Sequence, residues 1–152
     1  MAARNFSQCS RFGAVLDMLT DRISNLVLYF ALSEFTPVFM FSVAAIDIAS
    51  HWIQMYSKLL HGQATHKQAR NIVLSLYYKK RLLMGFLCVG AEVHMISKLI
   101  FLKTDSKNLA FVANFLSNLT FIVFIAKTFV NLIQLIESCS DIAEFDRKDN
   151  KQ

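Results

Sequence analysis

Asp17 and Asp21 stand four residues apart near the start of a strongly apolar stretch, and Gly13 lies four residues before them. Four residues is about one helical turn, so on a helix all three project from one face. Carboxylates are costly in lipid and mark a site of function there. Their hard oxygens suit a hard divalent cation, and such a cation suits a phosphate-bearing ligand. Gly13, with no side chain, lets a ligand approach the backbone. Asp47 and His51 form a second polar pair one turn apart. They could line a polyol pocket, the carboxylate accepting from hydroxyl groups and the imidazole donating to them. Each pair also has a structural reading. Asp17 and Asp21 could be ion-paired with Arg22 or Lys127, and Asp47 and His51 could satisfy each other inside a bundle.

The elements that carry these residues are apolar and long. Hydrophobic residues make up 55% of the 152, with 14 Phe against only 4 Gly and 1 Pro. Such runs read as membrane helices, because only internally satisfied backbone crosses lipid. Four segments stand out, at about Phe12–Phe35, Pro37–Tyr56, Leu82–Leu102 and Leu109–Ile136. Each reaches the roughly 20 residues that a bilayer requires. Thr36-Pro37 breaks the first hairpin and Ser106 to Asn108 the second. A short interfacial helix is expected around Gln68 to Tyr78. The predicted fold class is an all-α polytopic bundle of four spans in one membrane domain, residues 1–137. A polar tail with a fraying helix end follows over 138–152.

Charge sets the topology. The net charge of +5 is no nucleic-acid signal, because the basic residues gather between apolar segments. Lys58, Lys67, Arg70, Lys79, Lys80 and Arg81 share one loop. Arg4 and Arg11 at the amino end, and Arg147, Lys148 and Lys151 in the tail, fall on that same side. The positive-inside rule puts this side in the cytosol, so Asp17 and Asp21 enter the membrane one to two turns from cytosolic water. The first apolar run carries two Asp and an Arg and has no small-residue cleavage site, so no cleavable signal peptide is expected. Cys9, Cys88 and Cys139 form neither a C-x-x-C pair nor a zinc spacing and read as small apolar packers.

Ala3-Arg4, eight residues, then Gly13-x-x-x-Asp17-x-x-x-Asp21 resembles the second half of the CDP-alcohol phosphatidyltransferase signature, D-x-x-D-G-x-x-A-R, about eight residues, G-x-x-x-D-x-x-x-D. The run Arg11-Phe-Gly-Ala-Val-Leu-Asp-Met-Leu-Thr-Asp-Arg22 is most similar to the eukaryotic phosphatidylinositol synthase branch. Asp47-Ile-Ala-Ser-His-Trp52, His66-Lys67 and Tyr77-Tyr78 add to the likeness. The resemblance implies a metal-assisted transfer of the phosphatidyl group from CDP-diacylglycerol to myo-inositol, with CMP leaving. It makes Asp17 a ligand of Mg²⁺ or Mn²⁺. Asp21 becomes both a metal ligand and the base that takes the inositol proton. Ala3, Arg4 and Gly13 would bind the CDP-diacylglycerol, and Asp47 and His51 would form the inositol pocket. It further implies a six-helix fold of which these spans are the later part, a homodimer, and an endoplasmic reticulum membrane address with the active face cytosolic.

Met1-Ala2 occupies the place of the two variable residues before A-R, so the D-x-x-D-G half and its helix are missing from these 152 residues. With two of four carboxylates, little or no activity is expected of this length. The competing reading is a non-catalytic relative that binds CDP-lipid or pairs with a longer copy. A four-span carrier without lipid chemistry is a third. Glu92, His94 and Lys98 read as polar residues of the bundle interior, Lys127 as a residue that snorkels or pairs with a carboxylate, and Trp52 as an interfacial anchor.

Overall fold

The computed structural model describes residues 10–60 and 72–150. Ala3, Arg4, Cys9, His66, Lys67 and Arg70 lie outside the described residues. The elements run α1 (Arg11–Ser33), α2 (Pro37–Leu60), α3 (Ile72–Lys79), α4 (Arg81–Lys103) and α5 (Lys107–Asp149). Among the described residues all regular structure is helical, and the protein is an all-α membrane helix bundle. The long α5 packs along both α2 and α4, α1 leans on α2 and α4, and the short α3 lies against α4 and α5.

Local sequence explains the ends. Ser10 caps α1, its Oγ accepting from the Gly13 N–H at 2.9 Å. A Cβ on Gly13 would stand 3.0 Å from that oxygen, so the glycine keeps room for the cap. Pro37 opens α2, where its missing N–H costs nothing. Across the turns at this end of the bundle, Lys103 donates to Glu34 at 2.5 Å. Where the notional tail begins, α5 shows no break, and it continues as helix to Asp149 with a Lys148–Glu144 pair at 2.8 Å one turn apart.

Helices α2, α4 and α5 are long and apolar enough to cross a membrane. Four spans were expected, and α1 is the difference. Its 23 residues cover about 34 Å at about 1.5 Å each, but Arg11, Asp17, Asp21 and Arg22 make it too polar by composition. The bundle is apolar on the outside. Val38, Leu82, Phe111 and Ile122 are each at least three-quarters exposed. Polar side chains lie within, among them Asp47, Ser50, Ser117, Lys127, Asn131 and Gln134. Water would reject that arrangement, and lipid rewards it.

The interior divides in two. Toward the Glu34 and Lys103 end, Tyr29, Leu32, Met40, Val43, Ala44, Ala91, Met95 and Phe124 form an apolar core. Gly90 lets α4 meet α5 closely, since a Cβ there would fall 2.5 Å from Val123 Cγ1. His94 is buried at this contact, its Nδ1 2.9 Å from the Ser117 carbonyl and its ring stacked 4.9 Å from Phe124. The other half of the interior is polar.

Candidate active site

Asp47, 2% exposed on α2, is the hub of the polar half. Its Oδ1 accepts from Arg22 Nη1 of α1 at 2.5 Å and from Asn131 Nδ2 of α5 at 2.8 Å. One carboxylate thereby joins three helices. Lys127, one turn before Asn131, donates from Nζ to Asn131 Oδ1 at 2.5 Å and stands 5.5 Å from the Tyr77 ring centre. A second network continues it. Gln134 Nε2 donates to the Ser50 carbonyl at 3.2 Å and to Gln54 Oε1 at 3.1 Å, while Gln134 Oε1 accepts from the Tyr78 hydroxyl at 3.1 Å. Gln54 in turn donates to the Tyr78 oxygen. These bonds dock α3, which is too short to cross a membrane, onto α2 and α5. Burial pushes the Tyr78 phenol up to about 12, against the lowering effect of its bond from Gln54, so it stays neutral at physiological pH.

A cavity of about 50 Å³ opens between α1, α2, α4 and α5. Asp21 and Glu92 line it with Arg22, Asp47, Lys127 and Asn131, and Asn25, Tyr29 and Cys88 complete much of its wall. The Asp17 and Asp21 carboxylates are both exposed, and neither makes an ion pair among the described residues. Arg22 turns to Asp47 instead, and Lys127 to Asn131. Asp21 faces the cavity, while Asp17 lies one turn toward the amino end. Among the described residues, no three His, Cys, Asp or Glu side chains gather as a metal site. The pair could offer carboxylate oxygens to a hard cation, whose remaining shell would fall to water, phosphate oxygens or other residues.

Asp47 and His51 do meet, but they face different spaces. His51 Nδ1 lies 2.8 Å from the Asp47 carbonyl. A carbonyl only accepts, so Nδ1 carries the proton and Nε2 is the acceptor toward Arg22 Nη1 at 3.4 Å. His51 lines a separate apolar groove of about 150 Å³ between α1 and α2, with Met18, Ile23, Ile48 and Trp52. Arg22 touches both spaces.

The chain is 41% identical over 148 residues to CDP-diacylglycerol–inositol 3-phosphatidyltransferase 1 of Arabidopsis thaliana, covering 88% of this chain and 65% of the relative. It is 33% identical over 156 residues to the Homo sapiens CDP-diacylglycerol–inositol 3-phosphatidyltransferase, covering 97% and 73%. The Saccharomyces cerevisiae protein of that name is 31% identical over 152 residues, covering 96% and 68%. The chain belongs to the CDP-diacylglycerol–inositol 3-phosphatidyltransferase family. It spans 65% of the first Arabidopsis relative and 50% of a second. No protein-family profile matches it, and no solved structure does.

Family membership and geometry together rank the residues. Asp21 combines the motif position with access to the polar cavity. Glu92 faces the same cavity from α4, and Lys98 stays outside it, 5.2 Å from the Phe101 ring centre. Arg22, Asn131 and Gln134 were not anticipated as site residues. A signal for the two on α5 was present, because Lys127, Asn131, Gln134 and Ser138 recur at three- and four-residue steps, with Ser117 ten residues before them in the apolar run. All five are buried.

Proposed function

We propose that the chain transfers the phosphatidyl group of CDP-diacylglycerol to myo-inositol, giving phosphatidylinositol and CMP. The observation that carries this reading is Asp21, an unpaired motif carboxylate opening onto a cavity walled by buried Asp47, Asn131 and Lys127. The inositol hydroxyl oxygen bonds to the phosphatidyl phosphorus, the bond from that phosphorus to the CMP oxygen breaks, and the hydroxyl proton passes to Asp21. Asp17 and Asp21 would hold Mg²⁺ or Mn²⁺, which when bound neutralises charge on the phosphoryl oxygens. Gly13, at the open start of α1, gives the nucleotide end of the lipid close access, with Ala3 and Arg4 beside it in the motif. Asp47 supplies the acceptor wall for inositol, and His51 backs it through Arg22. The reaction runs in the endoplasmic reticulum membrane with α1 entered from the cytosolic side.

The test is conversion of labelled myo-inositol to lipid by purified protein, free of host synthase, with CDP-diacylglycerol and Mn²⁺ or Mg²⁺. Two of the family's four motif carboxylates lie in these 152 residues. A D-x-x-D-G segment placed ahead of Ala3 is therefore expected to raise a weak activity. Chelation is expected to abolish it. No inositol-dependent product from either length would overturn the proposal.

A further inference from the structure

We propose that Lys127 and Asn131 are positioning residues that determine acceptor specificity, fixing the polarity of the cavity wall so that Asp47 and Arg22 read a hydroxyl group. This rests on the acceptor-cavity reading above. An ammonium group only donates, an ionised carboxylate only accepts, and a carboxamide does both at opposite ends. Asn131 sits between the first two, 2.5 Å from Lys127 Nζ through Oδ1 and 2.8 Å from Asp47 Oδ1 through Nδ2. One orientation of the amide satisfies both neighbours. The flipped one sets NH₂ against an ammonium and C=O against a carboxylate, in an interior that screens charge poorly.

The orientation matters because of what it leaves over. Asp47 Oδ1 is taken by Asn131 and by Arg22 Nη1. Asp47 Oδ2 and Arg22 Nε are buried and have no hydrogen-bond partner among the described residues. A bare acceptor and a bare donor thus flank one ion pair on the cavity wall. Buried polar groups are ordinarily satisfied, and an alcohol hydroxyl, which donates and accepts at one oxygen, would satisfy both. Both atoms are covered here, and a hydroxyl would reach them only with the Arg22 side chain displaced. A phosphorylated or carboxylated alcohol would bring its anion to Asp47. The wall therefore takes a neutral polyol.

Lys127 gives the independent reason to look here. It is 6% exposed, and no carboxylate lies within ion-pair distance among the described residues. A buried ammonium without a counter-ion is costly, and an ordinary packing position would be filled by an apolar side chain.

The test is binding of myo-inositol to the purified chain in lipid nanodiscs with diamagnetic Mg²⁺, read by saturation-transfer NMR, which detects weak ligands without turnover. Lys127→Arg keeps a donor-only group and is expected to retain affinity within about threefold. Lys127→Gln removes the charge that holds Asn131 Oδ1, leaves the amide held from the Asp47 side alone, and is expected to weaken inositol at least tenfold while leaving CDP-diacylglycerol binding unchanged. Asn131→Ala carries the same expectation if Lys127→Gln does not fold. Inositol binding that survives either variant at wild-type strength overturns this inference alone. A wild-type chain that binds no inositol overturns the acceptor-cavity reading and this inference with it.

Discussion

The two halves of the bundle interior are built from different physics. Near the Glu34–Lys103 end, eight buried residues from Tyr29 to Phe124 pack as an apolar core. At the Asp47 level the same helices meet through charges and amides. Inside lipid, apolar packing gains little over contact with acyl chains, so it is shape that holds the first half together. Buried ion pairs and amides seldom raise stability above that of an apolar substitute, and their use is to specify geometry. The contrast teaches that stability and chemistry are separable here. Variants in the apolar half should alter melting and spare binding, and variants in the polar half should impair binding even where stability is restored.

The largest expected effect is on chemistry. Asp21→Asn removes the carboxylate proposed as general base, and its initial rate should fall by about 10²–10⁴-fold. Its melting temperature should not change, because Asp21 is exposed and has no ion pair among the described residues. An unchanged rate would break the assignment. Next is Asp47→Leu, which strands the Arg22 guanidinium and should cost about 3–5 kcal/mol by detergent unfolding. The double variant Arg22→Met with Asp47→Leu sharpens the comparison. It should recover most of that stability, as apolar replacements of buried pairs often do, yet fail to bind inositol.

In the apolar half, Leu32→Ala, in the core and away from the cavity lining, is expected to lose about 2–5 kcal/mol through the void it leaves. Inositol affinity in the surviving folded fraction should be kept. Gly90→Ala should cost about 1–3 kcal/mol, because the new methyl would overlap Val123. Smallest is Glu34→Ala. It removes an ion pair whose side chains are 53% and 62% exposed, and should shift stability by about 1 kcal/mol or less. A large loss from Glu34→Ala would show that the turns, rather than the packed core, hold that end of the bundle.

Much of this was legible in the sequence. Helix positions followed from apolar runs and their breaks, and Pro37 and Ser106 mark two of the starts as expected. The residue types, spacing and family likeness of Gly13, Asp17 and Asp21 singled out the candidate site, and both carboxylates are exposed. The span count was harder. A hydropathy reading weighs length against charge, and α1 has the length of a span with the polarity of an active-site helix.

Pairwise contacts between distant segments were hidden. Spacing along α2 joined Asp47 to His51, because periodicity reports only neighbours on one element. Arg22 stands 25 residues from Asp47 and Asn131 a further 84, and nothing local encodes their meeting. The stripe from Ser117 to Ser138 announced that one face of α5 turns inward, without naming its partners.

The amino-acid sequence alone determined the helical architecture, the apolar exterior and the pair of carboxylates on α1, since each depends on residues close in the chain. Only the tertiary structure decided that Arg22 answers Asp47, that Lys127 holds Asn131, and that Asp21 and His51 face different spaces. Those outcomes depend on helix rotation and register, which are set by packing between segments far apart in sequence.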